Sequence, residues 1–222
     1  MCGRYTLTQA LQAIKIHFFP LAISMDHLPR YNIAPTQEVP VVMAANGKRE
    51  LAAMRWGLIP PWATEKKPGS PMINARAETV HEKPGFRQSF KNKRCLIPAD
   101  GFIEWVKTGK DKRPQYITLK SGELFAFAGI WSEWKKDGGV LWTFSIITTE
   151  CNALLQPVHE RMPAILAPSD YDAWLAPSST PADLHSLLRP FPSDAMQMYP
   201  IAPEINSPKN DHAECLRPMD SA

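Results

Sequence analysis

The chain has 222 residues, of which 44% are hydrophobic and 21% charged. This balance is typical of a soluble globular protein and excludes a disordered or fibrous chain. The length suffices for one substantial core, so we predict a single domain over residues 1–222. A formal charge of +3 permits a nucleic-acid partner but does not by itself indicate one.

The cysteines and the N-terminal stretch exclude further classes of protein. The cysteines are Cys2, Cys95, Cys151 and Cys215, far apart and without a CxxC pair. Because no histidine cluster has ligand spacing either, we predict no disulfide framework, no metal site and no cofactor. Arg4, Lys15 and His17 interrupt any apolar run at the start. We therefore expect no signal peptide, no membrane span and a cytoplasmic location.

Periodicity and turn residues predict an α+β fold, with a mainly antiparallel, twisted, barrel-like sheet and short flanking helices. The strongest hairpin signal is Asn46-Gly47 between residues 39–45 and 50–56. The proline-rich residues 58–72 predict a long loop, which is a common place for binding residues. Later strands are expected at 95–98, 101–106, 114–119, 124–131 and 141–148 as one antiparallel meander, followed by 162–167.

Helices are expected near both ends of the chain. Thr8 is a suitable N-cap for the first, whose apolar residues are Leu11, Ile14 and Phe18. Further helices are predicted at 150–156 and after Ser169 and Pro181, with Ser169 and Thr180 as caps. Beyond an ordered core at about 2–206, the polar tail 207–222 is expected to fray.

Cys2 would become the N-terminal residue on removal of Met1, which is usual before a small second residue. It would then carry an amine and a thiol on adjacent carbons. Such a 1,2-aminothiol condenses with an aldehyde to an imine, and the thiol closes a five-membered thiazolidine in an intramolecular step. A single cysteine is a weak signal, and for Cys2 alone a small tolerated residue is the better interpretation.

Six short sequence motifs, in this order along the chain, make a functional Cys2 the better interpretation. They are MCGRY at the start, RYNIAP at 30–35, WGLIPPW at 56–62, INARAET at 73–79, CLIPADGFIEW at 95–105 and HERMPAIL at 159–166. Together they resemble the SOS-response-associated peptidase (SRAP) family. The departures are Ile103, where an aromatic residue is common, and Glu160, where aspartate is usual.

The resemblance implies a sensor of abasic sites in single-stranded DNA that forms a thiazolidine DNA–protein crosslink, with associated lyase-type chemistry and a peptidase role toward its own leader residue. It implies Cys2 as nucleophile, Asn74 as the group that positions it, and Glu104 and His159 as acid and base. It also places four residues in or beside the DNA cleft: Arg4, Asn32, Arg76 and Arg161. A monomer is expected.

The chemistry itself favours these residue types. Glu104 adjoins Phe102 and Trp105, an apolar setting suited to a general acid, and His159 can act in either protonation state. Asn74 offers both a donor and an acceptor. Each of these three residues has a plain structural interpretation when considered alone: a solvated strand face, a structural histidine and a turn cap.

Two additional DNA contacts are suggested by local sequence. Trp62, in the proline-rich loop, is suited to stacking on a base. Thr148 and Thr149, which precede a predicted helix, are suited to binding phosphate through hydroxyls and helix-end amides.

Three other functions remain open from the sequence. An N-terminal-nucleophile amidohydrolase also begins Met-Cys-Gly and would hydrolyse glutamine. A general cysteine peptidase would pair Cys2 with His159 but would not need a free N-terminus. A non-enzymatic single-strand binder would use Trp62 and arginines, and the identity of residue 2 would then be irrelevant.

Overall fold

A computed structural model describes residues 2–45, 47–64, 71–109, 111–136 and 138–219. Asn46 of the predicted turn, residues 65–70 of the proline-rich loop and residues 220–222 of the tail lie outside the described residues. Within them, no helix is long and apolar enough to cross a lipid bilayer.

Strands dominate the fold. They are β1 (Tyr5–Leu7), β2 (Leu21–Ile23), β3 (Arg30–Ile33), β4 (Glu38–Ala45), β5 (Lys48–Trp56), β6 (Asn74–Arg76), β7 (Arg94–Ala99), β8 (Gly101–Thr108), β9 (Asp111–Leu119), β10 (Phe125–Lys136), β11 (Gly139–Glu150), β12 (Arg161–Pro163), β13 (Ile165–Leu166) and β14 (Met196–Pro200). The helices are short: α1 (Leu11–His17), α2 (Arg87–Asn92), α3 (Tyr171–Leu175) and α4 (Pro181–Leu187).

The strands form two sheets. The smaller has the order β14-β9-β8-β1-β3, and the larger has the order β12-β11-β10-β7-β4-β5-β2. A parallel pairing of β11 with β5 closes part of the larger sheet into a small barrel, and β6 also pairs with β11 in parallel. Apart from these and the parallel β2–β5 pair, the pairings are antiparallel. The α+β prediction with a barrel-like antiparallel core is confirmed.

The predicted hairpin and the later strands are found in place, but the single meander is wrong. β8 and β9 form one hairpin in the smaller sheet, whereas β10 and β11 form another in the larger. All six residues of β7 are buried, and this strand lies between β4 and β10. Strand periodicity does not specify which sheet a strand joins, so the partition between two sheets was not predictable from the pattern.

The C-terminal side of β11 differs from the prediction. No helix covers 150–156, because β11 runs on to Glu150 and residues 153–158 form turns. Thr148 and Thr149 therefore lie within a strand and do not precede a helix. The strand predicted at 162–167 is divided into β12 and β13, which pair with β11 and β10 respectively.

Of the three predicted helix caps, Thr8, Ser169 and Thr180, only Thr180 is confirmed. Thr180 caps α4 in a reciprocal capping box with Asp183. Thr8 does not cap α1, since its hydroxyl and amide both donate to the Asp100 carboxylate. Ser169 lies in a 3₁₀ turn, and the residue that precedes α3 is Asp170.

The polar tail is anchored as far as the structure describes it, so the expected fraying is wrong for 207–219. Asp211 accepts hydrogen bonds from the main-chain nitrogens of Tyr31 and Asn32, at 2.5 and 2.9 Å, and pairs with Arg30. Cys215 is fully buried against Ile103 and other apolar side chains. Hydrogen bonds to a partly buried carboxylate therefore order this polar segment together with the burial of apolar side chains.

Gly101 is required where β1 meets β8. A Cβ at this position would clash with the ring and hydroxyl of the buried Tyr116, and that hydroxyl lies 3.0 Å from Thr6 Oγ1. We expect Gly101→Ala to lower the free energy of unfolding by about 1–3 kcal/mol, as overpacking does elsewhere. Urea denaturation measures this, and an unchanged midpoint would contradict the close packing.

Candidate active site at the junction of the two sheets

Cys2 is buried where the two sheets meet. Tyr5 of β1 pairs with Phe102 of β8, and the Ile103 amide still donates to the Arg4 carbonyl at 3.0 Å. The chain before β1 therefore continues along β8 and brings Cys2 to the edge of the larger sheet. Its side chain is 0% exposed.

Asn74 holds the main chain of Cys2 from the other sheet. It is the first residue of β6 and pairs with Ile146 of β11. Its Nδ2 donates to the Cys2 carbonyl at 2.8 Å, whereas its Oδ1 is buried without a hydrogen-bond partner among the described residues. The amide thus fixes the backbone of residue 2 and retains one acceptor in the site.

Glu104 supplies a carboxylate next to the thiol. It lies on β8 and is 5% exposed. Burial raises the pKa of the Cys2 thiol well above its ordinary value, and the negative charge of Glu104 raises it further. Both effects favour the protonated thiol of Cys2 over its thiolate.

His159 lies in the turn region that precedes β12. Its Nδ1 accepts the Arg161 main-chain N–H at 2.9 Å. In the neutral ring this bond places the remaining proton on Nε2, so the histidine is fixed as an Nε2–H donor. Through β12, β11 and β6, the turn belongs to the same part of the larger sheet as Asn74.

Two arginines lie along this part of the sheet. Arg76 ends β6 opposite Thr148 and is exposed. Arg161 begins β12 and makes a two-bond ion pair with Glu78, at 2.7 and 3.0 Å, which lowers the pKa of that carboxyl. Arg161 therefore pairs directly with the Glu78 carboxylate, while Arg76 is exposed at the surface and contributes to the lowering of that carboxyl's pKa.

Arg4 and Asn32 form hydrogen bonds with other groups of the protein. Arg4 donates to Asn32 Oδ1 at 2.6 Å and to the carbonyls of Ile205 and Asn206. Asn32 is 0% exposed, and its Nδ2 lies within hydrogen-bond distance of carbonyls of the C-terminal segment. Both residues anchor that segment beneath the site.

Of the residues suggested by local sequence, Trp62 is exposed, whereas Thr148 and Thr149 are buried. Thr148 is 0% exposed and Thr149 is 4% exposed, and the Thr148 carbonyl accepts from Ala77 and Arg161. Phosphate binding by a helix start that includes them is therefore excluded by geometry. Trp62 is 58% exposed, and the loop just after it is held by a hydrogen bond from Trp134 Nε1 to the Ala63 carbonyl.

A pocket beside Glu104 contains basic residues that lie between the predicted strands 101–106 and 114–119. Lys107 and Lys112 lie directly opposite each other on β8 and β9. With Glu104, Trp105 and Asn206 they line a cavity of about 420 Å³. Facing lysines repel each other, so this pair favours a bound anion. In the sequence, the signal for this basic pair is the charge run KTGKDKR at 107–113.

Fold and site together define an α+β domain, with an antiparallel sheet and a small barrel, in which a buried Cys2 lies between two sheets. The sequence profile of the SOS response associated peptidase (SRAP) family matches residues 1–208, so the chain belongs to that family.

Relatives from bacteria and vertebrates support this assignment. The abasic site processing protein YoaM of Bacillus subtilis is 46% identical over 224 residues, which cover 97% of each chain. The abasic site processing protein HMCES of Xenopus tropicalis is 32% identical over 226 residues, with coverage of 87% of this chain and 67% of that protein. A crystal structure from Bacteroides thetaiotaomicron superposes with a TM-score of 0.84 at 32% identity, covering 98% and 100% of the two chains.

Proposed function

We propose that this protein processes abasic sites in single-stranded DNA by forming a covalent thiazolidine through Cys2 after loss of Met1. The observation that carries the proposal is the hydrogen bond from Asn74 to the Cys2 carbonyl beside the Glu104 carboxylate. It holds the backbone of residue 2 while leaving its amine and thiol as the reacting groups. The names of the relatives point to the same lesion.

The chemistry balances with water as the sole by-product. The Cys2 amine adds to the aldehyde carbon of the ring-opened deoxyribose, and the resulting carbinolamine loses water to give an imine. The thiol then adds to the imine carbon, its proton passes to nitrogen, and the ring closes. Proton transfer is needed at the ring oxygen, the carbinolamine oxygen and the sulfur, and Glu104 and His159 are the groups we assign to these steps.

The same intermediate accounts for lyase-type activity. An imine that fails to close can lose a proton from the adjacent carbon and eliminate the 3′ phosphate, which breaks the strand. Burial of the Cys2 thiol next to the imine carbon favours ring closure over elimination, because closure is intramolecular. We expect crosslinking to be the main outcome and cleavage a minor one.

We assign the DNA contacts to three sets of exposed side chains: Arg76, Trp62 and the Lys107–Lys112 pair. The arginine and lysines suit phosphates, and the exposed indole suits stacking on a base. Arg4, Asn32 and Arg161 act mainly as structural supports, since each is bonded to protein groups. We expect a monomer to suffice, in the cytoplasm or at the nucleoid, with no metal in the chemical steps.

The proposal is tested with an untagged chain and a single-stranded oligonucleotide that carries one abasic site. After heating in denaturant, we expect a band of protein plus DNA on a gel. An oligonucleotide with an intact base should give none. The absence of a heat-resistant band from the abasic strand would refute covalent capture.

Arg76→Ala should weaken binding of single-stranded DNA and reduce the slope of log K against log salt by about one, since one phosphate contact is lost. The control is Lys120→Gln, an exposed lysine just after β9 and about 26 Å along that strand from Lys112. Fluorescence anisotropy at several salt concentrations measures both. Equal slopes for the two variants would remove Arg76 from the DNA surface.

The alternatives make different demands on residue 2. A peptidase that acts on other proteins needs the thiol but not the amine, and a simple binder needs neither. Trimming of Met1 by the chain itself is the peptidase role that we retain, because it generates the aminothiol. An amidohydrolase would release ammonia from glutamine, and the match to the SRAP family over 1–208 favours the abasic-site reaction over it.

A further inference from the structure

A second cluster of reactive side chains lies in the C-terminal segment. Glu204, His212 and Cys215 bring a carboxylate, an imidazole and a thiol together, with one ligand atom from each within 4.8 Å of the others. Glu204 and His212 are exposed, whereas Cys215 is fully buried beneath them. None of the three has a part in the proposed abasic-site chemistry.

The imidazole and the thiol lie at the separation of two ligands of one metal ion, but the ring has to turn to aim a nitrogen at that ion. Cys215 Sγ lies 3.6 Å from His212 Nε2 and 3.7 Å from its Nδ1, and the exposed imidazole is able to turn its Nε2 lone pair toward a shared ion. With bonds of about 2.0 to 2.3 Å, neighbouring ligand atoms of a tetrahedral zinc ion lie roughly 3.3 to 3.8 Å apart. The carboxylate of Glu204 has an oxygen within 4.8 Å of the other two ligand atoms, on an exposed side chain.

A neighbouring carboxylate favours metal binding by His212. Glu214 Oε2 lies 3.1 Å from His212 Nδ1. When Nδ1–H donates to this carboxylate, the Nε2 lone pair is left for a cation, which is the usual arrangement of a carboxylate, a histidine and a metal. The other nearby acid, Asp211, is already committed to Arg30 and to two main-chain amides.

We propose that Glu204, His212 and Cys215 bind a thiophilic divalent cation of the zinc class, with water at the fourth position. The mixed set of sulfur, nitrogen and oxygen donors selects zinc over magnesium or calcium, which prefer oxygen alone. The exposed Glu204 and His212 give the ion a path from solvent to the buried thiolate.

Such an ion would crosslink residues 204, 212 and 215 of the C-terminal segment, which contacts the support of the active site. The adjacent carbonyls of Ile205 and Asn206 accept from Arg4, and the segment as a whole surrounds the side chain of Asn32. Binding at one end of the segment therefore stabilises the support of the N-terminal strand. This inference does not depend on the reaction proposed for Cys2.

Cobalt(II) is the probe, because a thiolate ligand gives it a charge-transfer absorption that zinc removes by competition. We expect the untagged chain, in a phosphine reductant, to bind one equivalent with this band and to gain thermal stability with zinc. Cys215→Ser and His212→Ala should each abolish the band. Glu214→Gln should weaken zinc binding about 10- to 100-fold, as loss of such a supporting carboxylate does elsewhere.

Two controls separate this site from other thiols. Cys151→Ser should leave the band intact, and so should Cys2→Ala, whose aminothiol is the competing chelator. Loss of the band in Cys2→Ala with retention in Cys215→Ser would place the ion at the N-terminus and overturn the proposal. Absence of any thiolate band at stoichiometric cobalt would overturn it as well. His212→Ala, which changes an exposed side chain, keeps the test valid if Cys215→Ser does not fold.

Discussion

Replacement of Cys2 by alanine is expected to abolish the heat-resistant crosslink to an abasic single strand. The variant keeps an N-terminal amine, so an imine still forms, but it has no sulfur to close the ring and the imine reverts in water. Borohydride should trap this imine as a reduced adduct in the same variant. A denaturing gel with and without reductant measures both outcomes.

Cys2→Ser extends the test, because it also retains the amine and removes the thiol. We expect more strand cleavage per imine than in the wild type, since elimination no longer competes with fast ring closure. Cys151→Ser, at a cysteine outside the site, should behave like the wild type. An unreduced, heat-resistant adduct of undiminished yield in Cys2→Ala would show that another residue is the nucleophile.

Glu104→Gln is expected to slow crosslinking by about 100- to 10,000-fold, the usual contribution of a general acid or base. One effect opposes this loss: without the negative charge of Glu104 the pKa of Cys2 falls, which favours the thiolate. Burial contributes more than Glu104 to raising that pKa, so we expect the loss of proton transfer to dominate. Single-turnover rates at several pH values measure the effect.

A matched control is Glu123→Gln, which neutralises an exposed acid in the turn before β10. It should leave the rate unchanged. DNA binding without an abasic site should be retained by both variants, which separates a defect in chemistry from one in affinity. If Glu104→Gln crosslinked at the wild-type rate, Glu104 would be a structural residue of β8.

The sequence predicted the elements of the fold better than their arrangement. The hairpin of β4 and β5 and the strands β7 to β11 follow from short apolar segments and the turn residues between them, which are local features. The exchange of partners that puts β8 beside β1, and β7 beside β4, depends on contacts between distant parts of the chain. The end of β11 was misassigned for a similar reason: pairing with β6 and β12 extends the strand to Glu150.

The sequence predicted part of the grouping of side chains around Cys2, while their chemical roles stay predictions. Cys2, Asn74 and Glu104 were expected together; Asn74 donates to the Cys2 carbonyl, and the charge of Glu104 acts on the Cys2 thiol. Asn32 was expected at the DNA surface but is buried, because its amide ties down the C-terminal segment. Nothing local in RYNIAP indicates that partner, which comes from residues 205–210.

The most direct test of the central claim is the intact mass of the complex formed with an abasic oligonucleotide, without reductant. We predict the mass of the chain lacking Met1, plus that of the oligonucleotide, minus one water. Digestion should place the adduct on Cys2, with both its amine and its thiol blocked. A complex that retains Met1, or an adduct on a lysine with a free Cys2 thiol, would contradict capture by the N-terminal aminothiol.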